Sequence, residues 1–188
     1  KAANPSFTAG KIKKMEPYIE SLINELIDTF IDDGQVEFVS QFCIPLPMNI
    51  IQDRLGFPKK DLSLLKSWSF DTGEALSQRL TEEEELACAE RLVKFQHYMN
   101  KTFEEKKKNP KEDIISDLVT HICEDGESLK TEELISMVSA LNIGGNETTT
   151  NSIAGGMLML MQQKDKLEDL LTGKARFKNF VEEIIRLE

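Results

Sequence analysis

The sequence predicts an all-α fold. Apolar residues recur at steps of three and four along almost all of its 188 residues, which is the spacing of one face of a helix. Proline and glycine interrupt this pattern where helices are expected to begin and end. No segment sustains the alternation of apolar and polar residues that a strand needs. We therefore expect at most one short strand, at Val36–Val39.

The composition is that of a globular protein, with 40% hydrophobic and 30% charged residues. The net charge of −10 disfavours binding to nucleic acid or to an anionic membrane surface. Two basic runs, Lys11–Lys14 and Lys106–Lys108, lack interleaved aromatic residues. We interpret both runs as solvated helix ends.

Cysteine usage favours a reducing, cytoplasmic location. Cys43, Cys88 and Cys123 are odd in number, widely spaced and without a C-x-x-C pair. This pattern predicts neither a disulfide framework nor a zinc site, and each thiol is expected to be a small buried hydrophobe. The most apolar stretch, Met137–Met161, contains asparagine and glutamate, so it predicts a core helix and no membrane span.

The first two helices are marked by apolar spacing and by their stop signals. The face of the first consists of Ile19, Leu22, Ile23, Leu26, Ile27 and Phe30. Asp32-Asp33-Gly34 is expected to end it. Proline is tolerated in a first turn, so the second helix is predicted at Pro47–Leu55, with Ile50, Ile51 and Leu55 facing inward and Gly56 as the stop.

Four further helices follow in the middle and last parts of the chain. Thr81 and Glu84 form a capping-box pattern before a helix with the face Leu86, Ala89, Leu92, Val93, Gln96, Met99 and Phe103. Asn109-Pro110 ends it, and a short helix is predicted through Ile115, Leu118, Val119 and Ile122, turned by Asp125-Gly126.

The longest helix is predicted from Thr131 to about Gln163, roughly 50 Å at about 1.5 Å per residue. A final helix has Phe177, Phe180, Val181, Ile184 and Ile185 on one face.

The chemistry is predicted in the middle of the long helix, where Gly144–Thr150 combines poor helix formers. Two glycines inside a helix cost about 2 kcal/mol relative to alanine, which is typical of a functional or strained site. Helical spacing places the following residues on one stripe that is nearly free of side chains: Leu141, Gly144, Gly145, Thr148 and Ser152. A flat, bulky group could lie there, with Ala140 and Ile153 at its edges.

Two side chains in this stretch can act chemically. Thr148 can donate a hydrogen bond to the Gly144 carbonyl one turn earlier, which bends a helix and opens a notch. Glu147 points about 100° away, so it could relay protons between solvent and the notch. The residues alone leave a second interpretation open, in which the small residues only pack helices together and Glu147 lies at the surface.

Gly144-Gly145-Asn146-Glu147-Thr148-Thr149 resembles the pattern (A/G)-G-x-(D/E)-T-(T/S) of the cytochrome P-450 family, the haem-thiolate monooxygenases. Glu183-Ile184-Ile185-Arg186, 36 residues after Glu147, is similar to the E-x-x-R motif of that family. Ile44–Pro58 and Asn4–Thr8 resemble its segments more loosely, and together the matches extend over nearly the whole chain.

The resemblance implies the helical core of the P-450 fold, mainly α with a small β part outside this chain, and the long helix over the haem. Residues 1–188 are then a partial single domain, between the propionate-binding helix and the E-x-x-R helix. The loop F-x-x-G-x-x-x-C-x-G, which supplies the iron-ligating cysteine, is expected beyond Glu188. No metal ligand is therefore assigned here, neither a cysteine nor His97 nor His121.

The resemblance also implies roles for individual residues. Glu147 is expected to relay protons, and the Thr148 hydroxyl is expected to form a hydrogen bond during oxygen activation. The residues expected to contact the cofactor, haem b (iron protoporphyrin IX), are Gly144, Gly145, Leu141 and Ala140. Glu183 and Arg186 are expected to be structural, through a later arginine.

The implied reaction inserts one atom of O2 into an apolar substrate, with electrons from a ferredoxin or a flavoprotein. Asp61–Lys108 is expected to hold two helices that cover the substrate, with Trp68, Phe70 and Leu76 on their apolar faces. The 188 residues alone are expected to be inactive. The alternative function is a non-catalytic helical interaction module that is packed through its small residues.

Overall fold

The computed structural model describes residues 4–77, 79–124 and 126–187, and within them the chain is built from α-helices joined by short turns. The α-helices are α1 (Ala9–Asp28), α2 (Pro45–Leu55), α3 (Leu62–Ser77), α4 (Glu82–Lys108), α5 (Ile114–Val119), α6 (Thr131–Gln162), α7 (Lys164–Leu171) and α8 (Phe177–Leu187). The described residues form no strand, and their one isolated antiparallel bridge joins Ile122 and Ser128. The all-α prediction is confirmed.

Helix α1 begins after Thr8, whose side chain accepts a hydrogen bond from the Lys11 amide. It ends before a 3-10 turn at Ile31–Asp33 and Gly34, which has a φ of 67°. This is the predicted stop. The apolar face of α1 is only half covered, since no residue of the helix is buried.

A π-helical turn at Val39–Cys43 leads directly into α2. The short strand allowed for at Val36–Val39 does not form. Ile51 and Leu55 face inward as predicted, and Gly56 ends the helix with a φ of 83°. Ile50 is only half-buried, which corrects its inward assignment. It lies about 100° before Ile51 around the helix and so falls outside the buried face.

Helices α3 and α4 form the two-helix unit expected within Asp61–Lys108. The predicted capping box begins α4, since the Thr81 amide donates to the Glu84 carboxylate at 2.9 Å. The buried residues of α4 are Cys88, Phe95, Met99, Phe103 and Lys106.

The face predicted for α4 is therefore wrong in its first half, where Leu86 and Val93 are exposed. Contacts with α3 set the rotation of the helix, because Phe95 packs against Trp68 with ring centroids 5.4 Å apart and Arg91 pairs with Asp71 at 2.7 Å. Trp68 is buried as expected, whereas Phe70 and Leu76 lie on the outer side of α3.

Helix α5 begins at Asp113, which caps the Ser116 amide at 2.8 Å and forms a buried ion pair with Lys106. The helix ends at Val119, so Ile122 is exposed and the prediction that it continues the buried face is wrong. Gly126 takes part in the following turn with a φ of 85°, while Asp125 lies outside the described residues.

Helix α6 passes through the centre of the molecule over 32 residues, as predicted. It lies antiparallel to α2, since Asn142 contacts Gln52 and Thr150 contacts Cys43. The core cluster around its first half includes Leu134, Val138, Leu55, Leu65, Phe95, Met99, Phe103, Ile115 and Leu118. None of the helices in the described part of the chain is long and apolar enough to cross a membrane.

Candidate functional site on helix α6

The turn at which the notch is predicted, Gly144 to Thr148, lies in the middle of α6. The Thr148 hydroxyl donates a hydrogen bond of 2.6 Å to the Gly144 carbonyl, so the back-bonding prediction is confirmed. Both residues are exposed. A Cβ atom built on Gly144 would have no neighbour within 4 Å. This turn of the helix therefore presents a smooth, open surface with one hydroxyl on it.

Gly145 faces a different direction. A Cβ atom on Gly145 would lie 2.9 Å from both Cδ1 and Cγ1 of Ile51 on α2. The prediction that both glycines share one open stripe is therefore wrong, because Gly145 lies at the contact between two helices.

The side of α6 that faces α2 carries buried polar residues one turn apart. These are Asn142, Asn146 and Thr150, all at most 9% exposed. The Gln52 side-chain amide donates to Asn142 Oδ1 at 2.7 Å, and the Thr150 hydroxyl donates to the Cys43 carbonyl at 3.0 Å. Sequence reasoning did not single them out. The signal was available, since polar residues at steps of four in an apolar helix mark a partnered interface.

Glu147 is exposed and lies beside α3. A Cβ atom on Gly73 of α3 would be 3.5 Å from Glu147 Oε1. The carboxylate therefore extends toward the two-helix unit, on a different side of α6 from the Gly144 surface. Of the other residues assigned to the cofactor, Ala140 is exposed, and Leu141 is half-buried against the core.

A mostly apolar groove of about 540 Å³ begins at Thr148 and runs between α6 and α8. Its walls include Ser152, Ile153, Val181 and Ile185. Where the helices meet, a Cβ atom on Gly156 would be 2.5 Å from Ile184 Cδ1. Sequence reasoning missed Gly156, although a small residue in a long helix is a common sign of close packing.

Glu183 and Arg186 form a two-point ion pair on the outer side of α8, with hydrogen bonds of 2.8 and 2.6 Å. The hydrogen bond from Arg186 holds the pKa of the Glu183 carboxyl below its ordinary value. Both side chains are more than half exposed, while Ile184 between them packs against α6. Glu183 and Arg186 therefore pair with each other within the motif.

Among the described residues, no three histidine, cysteine, aspartate or glutamate side chains come together as a metal site. Cys43 and Cys88 are buried, and burial raises the pKa of both thiols. Cys123 is half-buried and His97 is exposed. None of these side chains lines the groove that begins at Thr148.

Comparison with known proteins agrees with this architecture. The family model "Cytochrome P450" matches residues 64–172. The chain is 29% identical to a steroid C26-monooxygenase of Mycobacterium tuberculosis, over 99% of this chain and 50% of the relative. It is 35% identical to the putative cytochrome P450 YjiB of Bacillus subtilis, over 97% of this chain and 47% of the relative.

Solved structures give the same result. P450BioI, in complex with an acyl carrier protein ligated with hexadec-9Z-enoic acid, superposes with a TM-score of 0.90 at 27% identity, over 100% of this chain and 48% of that chain. The cytochrome P450 PksS of Bacillus subtilis 168 superposes with a TM-score of 0.88 at 29% identity, over 98% of this chain and 46% of that chain. The chain spans about half the length of the curated relatives that it matches.

Proposed function

The chain belongs to the cytochrome P450 family, and we propose that the protein it represents is a haem-dependent monooxygenase acting on an apolar organic substrate. The observation that carries this proposal is the open surface at Gly144 beside the back-bonded Thr148 hydroxyl. The relatives support the substrate class, since one is named for a steroid and one solved structure holds a long-chain acyl group.

The residues present fit one face of a haem. A flat macrocycle needs a surface without projecting side chains, and Gly144 supplies it, since no atom lies within 4 Å of a Cβ placed there. Ile153 supplies an apolar wall along the groove. We place Gly144, with Ala140 and Leu141 in the turn before it, against haem b. When bound, the haem supplies dioxygen binding and cleavage of the O–O bond.

Thr148 holds a proton at the open surface. Its hydroxyl hydrogen is directed to the Gly144 carbonyl, so the lone pairs of Oγ1 are available to accept a hydrogen bond. Rotation of the hydroxyl hydrogen away from Gly144 turns the same oxygen into a donor. Thr148 can therefore accept a proton from one neighbour and donate one to another without a change of rotamer at χ1.

Glu147 is proposed to bring protons from solvent. It is exposed, so its carboxylate is in reach of water. Its carboxylate lies beside Gly73 of α3, and movement of α3 would change its access to the Thr148 side of the helix. Gly145, which packs on Ile51, acts in this proposal by holding α6 in place.

The remaining parts of the proposal concern the whole protein. Glu183 and Arg186 are proposed to be structural, with Arg186 already held by two hydrogen bonds. The proposed electron donor is a ferredoxin or a flavoprotein. The proposed location is the cytoplasm, favoured by three cysteines that form no disulfide.

The alternative function, a helical module packed through small residues, explains only some of the glycines. Gly145 and Gly156 do pack against neighbouring helices. Gly144 and Thr148 do not, and they form the open surface. The chemical function therefore accounts for residues that packing leaves unexplained.

The test is Thr148→Ala in the full-length protein. We expect the ratio of hydrogen peroxide released to reductant oxidised to rise and product to fall by about tenfold, the effect of losing one hydrogen bond during catalysis. Haem content and substrate affinity should be unchanged, since the change removes one hydroxyl and keeps a small side chain.

The matched control is Thr172→Ala. Thr172 is also exposed and its hydroxyl also donates to the carbonyl four residues earlier, at 2.7 Å, but it lies at the end of α7. The Thr172→Ala variant should release the same amount of hydrogen peroxide per reductant oxidised as the unchanged protein. An unchanged ratio in Thr148→Ala would sink the assignment of Thr148 to oxygen activation.

A further inference from the structure

Two buried hydrogen bonds lie on either side of the notch. Asn142, two residues before Gly144, accepts from Gln52 at 2.7 Å. Thr150, two residues after Thr148, donates to the Cys43 carbonyl at 3.0 Å. Gln52, Asn142, Cys43 and Thr150 are all nine-tenths or more buried. We call this pair of hydrogen bonds the rear clamp, because it holds the side of α6 that faces away from the open surface.

The Thr150 bond has a cause in the sequence. Inside a helix, the Cys43 carbonyl would accept from the amide of residue 47, but that residue is a proline and has no N–H. A buried carbonyl without a donor is costly. The Thr150 hydroxyl supplies the missing donor across a sequence separation of 107 residues.

The segment between the two bonds is weak as a helix. Gly144 and Gly145 have low helix propensity, and Thr148 shares the Gly144 carbonyl with the helix backbone. Such a turn frays or shifts unless it is held from outside. The rear clamp holds it at both ends, and the contact of Gly145 with Ile51 holds it in the middle.

We infer that Gln52, Asn142 and Thr150 are positioning residues, which fix the turn of α6 from Gly144 to Thr148 so that the Thr148 hydroxyl faces the open surface. This inference rests on the proposed function of Thr148. Removal of either bond should loosen the turn while the exposed surface keeps all its side chains.

The test compares Thr150→Val, which removes the hydroxyl at nearly constant shape, with Thr150→Ser, which keeps it. Both are made in the full-length, haem-loaded protein. Hydrogen exchange of the amides of residues 143–151 is measured by mass spectrometry, together with hydrogen peroxide released per reductant oxidised. We expect Thr150→Val to speed exchange there by about two- to tenfold, as for the loss of one hydrogen bond.

The peroxide ratio should rise in the same variant, and Thr150→Ser should restore both readouts. The control is Thr102→Val in α4, where the hydroxyl donates to the Tyr98 carbonyl at 2.9 Å, away from the notch. Thr102→Val should change neither the hydrogen exchange of residues 143–151 nor the peroxide ratio. If Thr150→Val fails to fold, Gln52→Met tests the other bond of the rear clamp with the same readouts.

Unchanged exchange in Thr150→Val, or faster exchange with an unchanged peroxide ratio, would overturn the inference. Failure of the proposed function is distinguished by Thr148→Ala. If that variant leaves the peroxide ratio unchanged, the role of Thr148 fails, and exchange alone then decides whether the rear clamp holds the turn.

Discussion

At the scale of single residues, Gly56 lies against the ion pair whose two side chains are both nine-tenths or more buried, Lys106–Asp113. It ends α2 with a φ of 83°, and a Cβ atom there would collide with the Asp113 carboxyl group. Asp113 forms its ion pair with Lys106 beneath this glycine. Both charged side chains are at least nine-tenths buried, so each depends on the other for compensation.

We therefore expect Gly56→Ala to lower the free energy of unfolding by about 3 kcal/mol or more, the cost of disrupting a buried ion pair. The control is Gly34→Ala, where φ is 67° but no atom lies within 4 Å of the new Cβ. That variant should cost only about 1 kcal/mol, the strain of the left-handed conformation. Denaturant unfolding measures both. Equal losses would show that the collision with Asp113 is relieved without cost.

Sequence reasoning located the exposed residues of the candidate site better than the buried polar ones. Thr148 and its bond to Gly144 follow from spacing within one helix, so they were predictable. The rear clamp joins residues 90 and 107 positions apart, and no local pattern encodes such a pairing. Gly145 was placed on the wrong surface because only the position of Ile51 decides which glycine is covered.

At the scale of helices, adjacent glycines of α6 should respond to alanine with opposite signs. Gly144→Ala should raise the free energy of unfolding by up to about 1 kcal/mol, since alanine favours the helix and the space is open. Gly145→Ala should lower it, because the new methyl group would lie 2.9 Å from two atoms of Ile51.

Thermal or denaturant unfolding of the two variants under the same conditions measures this difference. Gly145→Ala combined with Ile51→Val provides the control, since shortening Ile51 should recover part of the loss. A stabilised Gly145→Ala variant would contradict the close contact between α2 and α6.

Helix ends were more predictable than helix rotation. The stops at Gly34 and Gly56 and the capping box at Thr81 act locally, so the sequence was sufficient to locate them. The buried face of α4 depends on Trp68 and Asp71 of a different helix, and it was predicted incorrectly at Leu86 and Val93. Packing between helices decides which apolar residues of a broad stripe are covered.

At the scale of the whole molecule, the buried groups that ionise at high pH make the fold sensitive to alkali. Burial raises the pKa of the Cys43 and Cys88 thiols above the ordinary value of 9.0. Burial and the hydrogen bond to Asp61 raise the pKa of Tyr98 above the ordinary value of 10.0. The folded state therefore keeps protons that the unfolded state releases.

Proton linkage gives the direction of the pH effect, because the state that binds more protons loses stability as the pH rises. The folded state is favoured fully at neutral pH, and the free energy of unfolding should fall as the pH rises past about 9 and further past about 10. Denaturant unfolding between about pH 7 and about pH 11 measures the fall. Tyr98→Phe removes the largest tyrosine contribution, so its stability should depend less on pH above about 10. The same pH dependence in both proteins would contradict the assignment to Tyr98.

The antiparallel contact of α2 with α6 also determines the order in which the chain can fold while it is being made. Helices α3, α4 and α5 follow one another and can pack as they emerge from the ribosome. Helix α2 and the π-helical turn before it form hydrogen bonds with residues that are made 90 to 107 positions later in the chain. At roughly 5–20 residues per second this interval is on the order of 5–20 s. Throughout it, the apolar side of α2 lacks its final partner, so this side of the helix stays accessible to a chaperone on the nascent chain.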